Sequence, residues 1–117
     1  MAQNSASGAF DLEKRTTDFA KDVIRFCKKV RISPLNIRII PQIVASAGSI
    51  GANYREANDA LGKKDFVLRL KIARKEAKEV IHWLEILYEC EKNDDIKPLI
   101  GEAVELKNIL SSIISKC

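Results

Sequence analysis

A chain of 117 residues with 46% hydrophobic content suffices for one domain with its own core, without metal or disulfide staples. Its three cysteines, Cys27, Cys90 and Cys117, form no CxxC pair, which argues against a disulfide framework or a zinc site and for reduced thiols in a cytoplasmic protein. The net charge of +4 is uneven: residues 1–75 hold 15 basic and 7 acidic groups and residues 76–117 hold 5 and 9, a polarity that suits a basic surface facing phosphate or an acidic partner.

Residues 1–9, MAQNSASGA, have neither a basic start nor an apolar run, so they are expected to be a disordered tail and not a leader, followed by a single domain over 10–117. Phe10-Asp11-Leu12-Glu13 marks a helix start, with Asp11 able to cap free amides and Glu13 favoured near the positive end. Leu12, Thr16, Phe19, Val23, Phe26 and Val30 then recur at steps of 4 and 3, which predicts a one-faced helix ending before Ser33-Pro34.

The next segment is ambiguous by composition. Ala45 to Ala57, ASAGSIGANYREA, has the small residues of a loop, yet Ile39 to Tyr54 contains no charge. Periodicity decides it, because Ile43, Ala47, Ile50, Tyr54, Ala57 and Leu61 again step by 4 and 3, so a helix begins or kinks near Pro41. A second, polar row follows Gln42, Ser46, Ser49, Asn53 and Glu56, and a third side shows Val44, Gly48, Gly51 and Arg55. A glycine inside a helix costs roughly 0.5–1 kcal/mol relative to alanine, so both glycines are expected where another backbone comes close. The charge-free run is shorter than the ~20 apolar residues that span a bilayer, so a soluble protein with no membrane partner is expected.

Phe66, Leu70, Ala73, Ala77, Val80, Leu84 and Leu87 predict a third helix from about Lys63 to Lys92, stopped by Asn93-Asp94-Asp95. Leu99, Ala103, Leu106, Leu110 and Ile113 predict a fourth, with Pro98 tolerated in its first turn. Sustained 3.5-residue periodicity with short connections gives an all-α, antiparallel up-down four-helix bundle. The extra rows on the second and third helices predict subunit contact as well.

Chemistry-bearing patterns are few. Glu79-x-x-His82 has the i, i+3 spacing of di-iron bundles, but such a site needs a second motif and two more carboxylates. His82 is the single histidine and lies off the apolar seam, so it is expected to point outward, with no metal bound. Glu56, Glu76 and Glu79 could serve as acid–base groups. Glu76, Glu79 and Trp83, however, flank the core seam, where carboxylates pair with Asn53, Arg69, Arg74 or a neighbouring chain's arginine. No nucleophile arrangement and no phosphate loop occurs, so neither catalysis nor a cofactor is expected. The segment Lys63 to Lys78 holds seven basic and two acidic residues. Lys64, Lys71, Lys75 and Lys78 fall near one face with Arg74 beside them, and aromatic residues for base stacking are scarce. Binding there would follow the phosphate backbone, depend on salt and read little sequence.

The run Gln42-Ile43, Ser46, Ser49-Ile50-Gly51-Ala52-Asn53, Glu56-Ala57 is similar to the central motif of the 23S rRNA-intervening sequence proteins. Lys64-Asp65-Phe66, Ala73, Glu76-Ala77, Glu79, Trp83-Leu84, Glu102, Leu106 and Leu110 continue the resemblance over Phe10 to Ile114. Arg55 and Ala57 depart from the commoner alanine and glycine, and Pro41 precedes the motif. The resemblance implies a cytoplasmic four-helix bundle assembled as a homo-oligomer, typically a pentameric ring, of unsettled activity. A similar fold occurs in accessory proteins of diversity-generating retroelements, basic rings associated with nucleic acid and a reverse transcriptase. Two functions are therefore expected to compete. One is a non-enzymatic scaffold binding RNA or ribonucleoprotein through Lys64, Lys71, Arg74, Lys75 and Lys78, with Ser46, Ser49, Asn53, Glu56, Glu76 and Trp83 in the polar seam or subunit contact. The other is a protein–protein adaptor with no direct nucleic-acid binding.

Overall fold

Helical periodicity in the sequence becomes four helices in the computed structural model, α1 (Ala2–Cys27), α2 (Ile39–Asn58), α3 (Lys63–Glu91) and α4 (Ile96–Ser115). The structure describes the backbone of residues 2–117 and the side chains of residues 11–117. The expected tail, residues 1–9, and Phe10 lie outside the residues whose side chains are described. Their backbone from Ala2 is assigned to α1, so Asp11 sits within a helix and does not cap one.

The breaks have local causes. α1 ends at Cys27 in tight turns, the Lys29 and Val30 amides donating to the Phe26 and Cys27 carbonyls at 3.0 and 3.1 Å, while Pro34 keeps Ser33 out of the helical region farther on. Pro41 sits in the first turn of α2, where its missing amide hydrogen has no helical partner to lose, so it starts the helix and does not kink it. At the end of α3, Lys92 turns left-handed with φ 50°, and its amide donates to the Tyr88 carbonyl at 2.7 Å. That geometry closes the helix without glycine, at a modest conformational cost.

Consecutive helices pack on one another, α2 on α3 most extensively, and α1 meets α4 along a thinner seam; among the described residues the backbones of the diagonal pairs stay more than 8 Å apart between Cα atoms. Cross-helix partners fix the directions. Thr16 lies against Gly51 and Glu13 meets Arg55, Ser46 meets Glu79 and Asn36 meets Glu91, and Arg74 meets Ser111 while Tyr88 meets Asp94 just ahead of α4. In each neighbouring pair one number rises as the other falls, so successive helices are antiparallel. The bundle measures 47 × 25 × 19 Å.

The core follows the predicted seams closely. Leu12, Thr16, Phe19, Val23 and Phe26 of α1 are buried, with Ile43, Ala47, Ile50, Tyr54 and Ala57 of α2. Leu70, Ala73, Ala77, Val80, Leu84 and Leu87 of α3 and Leu99, Ala103, Leu106 and Leu110 of α4 complete it, together with Ile96, which the predicted seam did not include. Val30, Phe66 and Ile113 are half-buried at its edges. Leu61 is a correction: α2 ends at Asn58, three residues short, and Leu61 stands fully exposed in the turn.

Of the two glycines of α2, one meets the expectation and one does not. Gly51 is buried, and a Cβ there would lie 2.8 Å from Thr16 Oγ1, so α1 and α2 approach closely only because the side chain is missing. Gly48 faces outward with open space where its Cβ would be. The packing reason predicted for both holds within the chain for Gly51 alone.

A candidate nucleic-acid interface on α3

The exposed positions of α3 follow a helical stripe. Lys64, Leu68, Lys71, Lys75, Lys78, His82, Glu85 and Glu89 succeed one another at steps of 4 and 3, and all are exposed. This outer ridge changes from basic to acidic along the long axis. Lys64 to Lys78 spans fourteen steps, or about 21 Å at the helical rise. None of the four lysines forms an ion pair among the described residues, whereas Lys14, Lys92 and Lys97 are each held by a carboxylate. A lysine with no fixed partner on a flexible stem is available to phosphate.

Arg74 is placed differently from its expected neighbours. It is half-buried and donates to Ser111 Oγ at 3.4 Å, joining α3 to α4 beside the ridge. Arg69 approaches Asp65 of its own helix at 3.8 Å. Neither arginine neutralises Glu76 or Glu79, as the sequence had suggested they could.

Of those two carboxylates, Glu79 reaches across to α2. Ser46 is buried and donates to Glu79 Oε2 at 3.4 Å. Ser49 and Asn53 are half-buried, and Asn53 donates to the Ser49 carbonyl at 2.9 Å, within its own helix. Glu56 is exposed and forms no ion pair among the described residues. Burial raises the Glu76 carboxyl above the ordinary carboxylate range; repulsion from Glu79 adds to this, Lys75 partly opposes it, and the hydrogen bond shared with Glu79 favours the protonated form. Trp83 is half-buried beside the seam, its ring edge-on to exposed His82 at 5.1 Å. His82 thus points outward, as its position off the seam implied. No group of three or more His, Cys, Asp or Glu side chains among the described residues is arranged to hold a metal.

The structure adds contacts that sequence reading missed. Arg15 forks onto Glu102 at 2.7 and 2.8 Å and reaches Glu105 at 3.1 Å, bridging α1 and α4. Arg55, where alanine is commoner, meets Glu13 at 3.1 Å and Thr17 at 3.2 Å, and Asn58 donates to Glu13 at 2.8 Å. Arg55 is therefore an α1–α2 fastener. Charges separated by 42 to 90 residues show no pairing signal in one sequence.

The antiparallel helices with this small-residue second helix set the frame for comparison with known proteins. Residues 9–112 match the family described as 23S rRNA-intervening sequence protein. The chain belongs to that family. A solved structure similar to this chain is the 1.70 Å crystal structure of a protein with unknown function, from the S23 ribosomal protein family, of Bacteroides thetaiotaomicron VPI-5482. The two are 32% identical, with a TM-score of 0.77 over 88% of this chain and 97% of that one. No curated protein matches. For a 23S rRNA-intervening sequence protein the resemblance in the second helix thus rests on a physical role. Ser46 and Gly51 are buried where α2 meets α3 and α1, and Asn53 is half-buried on the same helix. No described helix is long and apolar enough to cross a membrane.

Proposed function

We propose that this chain is a non-enzymatic scaffold of the cytoplasm, a homo-oligomer and by family resemblance a pentamer, that binds RNA or ribonucleoprotein through the basic half of the α3 ridge. The observation that supports this is the row of four exposed lysines without carboxylate partners, Lys64, Lys71, Lys75 and Lys78. A row about 21 Å long matches several successive phosphates of one strand. With no Phe, Tyr or Trp exposed beside it among the described residues to stack on bases, binding follows charge and shape more than sequence. Arg74 flanks the row and contributes mainly by joining α3 to α4. Repetition of the ridge around an assembly would multiply a weak affinity through avidity.

The test is binding of fluorescent single-stranded and hairpin RNA at rising salt, starting near 50 mM. Four lysine contacts predict that log affinity falls against log salt with a slope of about −3. Charge reversal at Lys71, Lys75 and Lys78 together should reduce that slope by about 2 and weaken all RNAs alike. An unchanged slope in that variant, or no binding by the parent protein near 50 mM salt, would defeat the proposal.

A second reading, the protein adaptor, draws on one specific observation. Leu68 interrupts the lysine row and, with Val67, Lys63, Lys64, Asp65 and Lys71, lines a mainly apolar open groove. An acidic segment bearing an apolar side chain fits that surface. The readings separate at Leu68→Ser, which leaves RNA affinity unchanged under the first and weakens partner capture under the second.

A further inference from the structure

Three of the six large hydrophobic side chains exposed among the described residues fall within six positions of the α1–α2 connection: Ile32 at 54%, Leu35 at 73% and Ile37 at 53%. Chance exposure of single aliphatic residues is normal, but a cluster held outward by a fixed scaffold is not. Here the scaffold is Asn36, which is fully buried between Leu35 and Ile37 in sequence. Its side chain donates to the Arg31 carbonyl at 3.0 Å and to Glu91 at 2.9 Å and accepts from the Ser33 amide at 2.9 Å. The connection is thus tied to the end of α3 while its aliphatic groups stand in water.

Its charge is one-sided. No Asp or Glu occurs between Asp22 and Glu56, and Lys28, Lys29, Arg31 and Arg38 flank the aliphatic cluster in the sequence, all exposed and none in an ion pair among the described residues. Most acids at this end have partners of their own: Glu91 accepts from Asn36, Glu89 pairs with Lys92, Asp94 with Lys97 and Asp22 with Arg25, while exposed Asp95 shares a shallow groove with Lys29. The occupant of this tip must therefore be anionic outside and apolar within.

We propose that the α1–α2 connection is a peripheral membrane contact, inserting Ile32, Leu35 and Ile37 among the acyl chains of an anionic bilayer while the four cations meet its headgroups. This goes beyond the RNA reading, uses none of its residues, and revises an expectation of no membrane partner that rested only on the lack of a spanning segment. Aliphatic tips offer nothing to stack on bases, which disfavours RNA here. A second copy is disfavoured because two of the other exposed aliphatic residues, Leu61 and Leu68, lie among Lys63, Lys64 and Lys71, so like charges would meet. A tip at the end of a long bundle, with no groove among those found lined by its aliphatic residues, suits insertion into a soft anionic phase.

The experiment is sedimentation of the full chain with vesicles of phosphatidylcholine alone or mixed with phosphatidylglycerol. Binding to the anionic vesicles is expected; it should fall with salt, and by roughly fivefold for each cation neutralised to glutamine among Lys28, Lys29, Arg31 and Arg38. The Ile32→Ser, Leu35→Ser, Ile37→Ser combination should lower it at least tenfold at unchanged helix content and unchanged molar mass. Leu35→Trp in a Trp83→Phe background should shift its fluorescence to the blue on anionic vesicles only. Absence of binding, binding insensitive to the triple serine variant, or loss of that binding on reversing Lys71, Lys75 and Lys78 instead would overturn the proposal. So would a fall in molar mass in the serine variant, which assigns the tip to a second copy, or capture by an acidic polypeptide that does not compete with the vesicles.

Discussion

At the scale of single residues, Gly51 and Thr16 set how closely α1 and α2 approach. A methyl at Gly51 would stand 2.8 Å from Thr16 Oγ1 and 3.2 Å from Thr16 Cβ, and Thr16 is fully buried with its hydroxyl donating to the Glu13 carbonyl at 3.0 Å. Neither partner can turn away freely. Gly51→Ala is therefore expected to lower stability by about 1–3 kcal/mol, the usual cost of overpacking a filled core. Urea denaturation measures it, and a Thr16→Ala background should shrink the effect by removing the nearer atom. Additive losses in the double variant would refute the clash. Glu76 makes a second prediction. Its raised pKa means the native state binds protons more readily than the unfolded chain, so stability gained by its protonation is present at low pH and is lost as pH rises past the ordinary glutamate value, about 4.3, through the higher native value. Glu76→Gln should flatten this part of the stability–pH curve. An unaltered curve would show that Glu79 and solvent leave Glu76 unperturbed.

At the scale of helices, the weakest neighbouring pair is α1 with α4, and Arg15 is the polar link across it. A forked guanidinium on a carboxylate is stronger than an ordinary surface pair, but both groups remain partly in water, which limits its value. Arg15→Ala should cost about 1 kcal/mol, and Arg15→Lys should restore only part of it because an ammonium cannot fork. Matching thermal midpoints for Lys and Arg at this position would reduce the link to simple charge attraction. Such links explain what the sequence left illegible. Helix number, order and buried faces were readable because apolar spacing is a local property, as the stepping from Ile43 to Ala57 shows even through two glycines. The end of α2 was not, since Leu61 continues the spacing while the chain has already turned at Asp59. The lysine row of the candidate interface was readable for the same local reason. The fate of Arg74 and Arg55 was not, because Ser111 and Glu13 become neighbours only once the bundle closes.

At the scale of the whole molecule, the unresolved energetic debt lies on the outer face of α2. Pro41, Ala45, Gly48 and Ala52 follow one another at steps of 4, 3 and 4, all exposed and uncharged, and nothing among the described residues occupies the space beside Gly48. A helix interior glycine sacrifices up to about 1 kcal/mol against alanine, and within one chain Gly48 gains nothing in exchange. A backbone from another subunit, lying close along this face, would supply the missing contact and bury the bare stripe. Light scattering on the parent protein should then give a multiple of the 13.1 kDa chain, five for the proposed pentamer. Gly48→Phe, placing a ring where a neighbouring backbone must lie, should shift the mass toward one chain while leaving helix content intact, since the position is open in the single bundle. RNA affinity should fall with the mass even though every lysine of the α3 ridge remains, because the linked sites become independent. A single-chain mass for the parent protein would remove the oligomer altogether. An oligomer that tolerates phenylalanine at Gly48 would move its interface to another face and leave that glycine without a physical account.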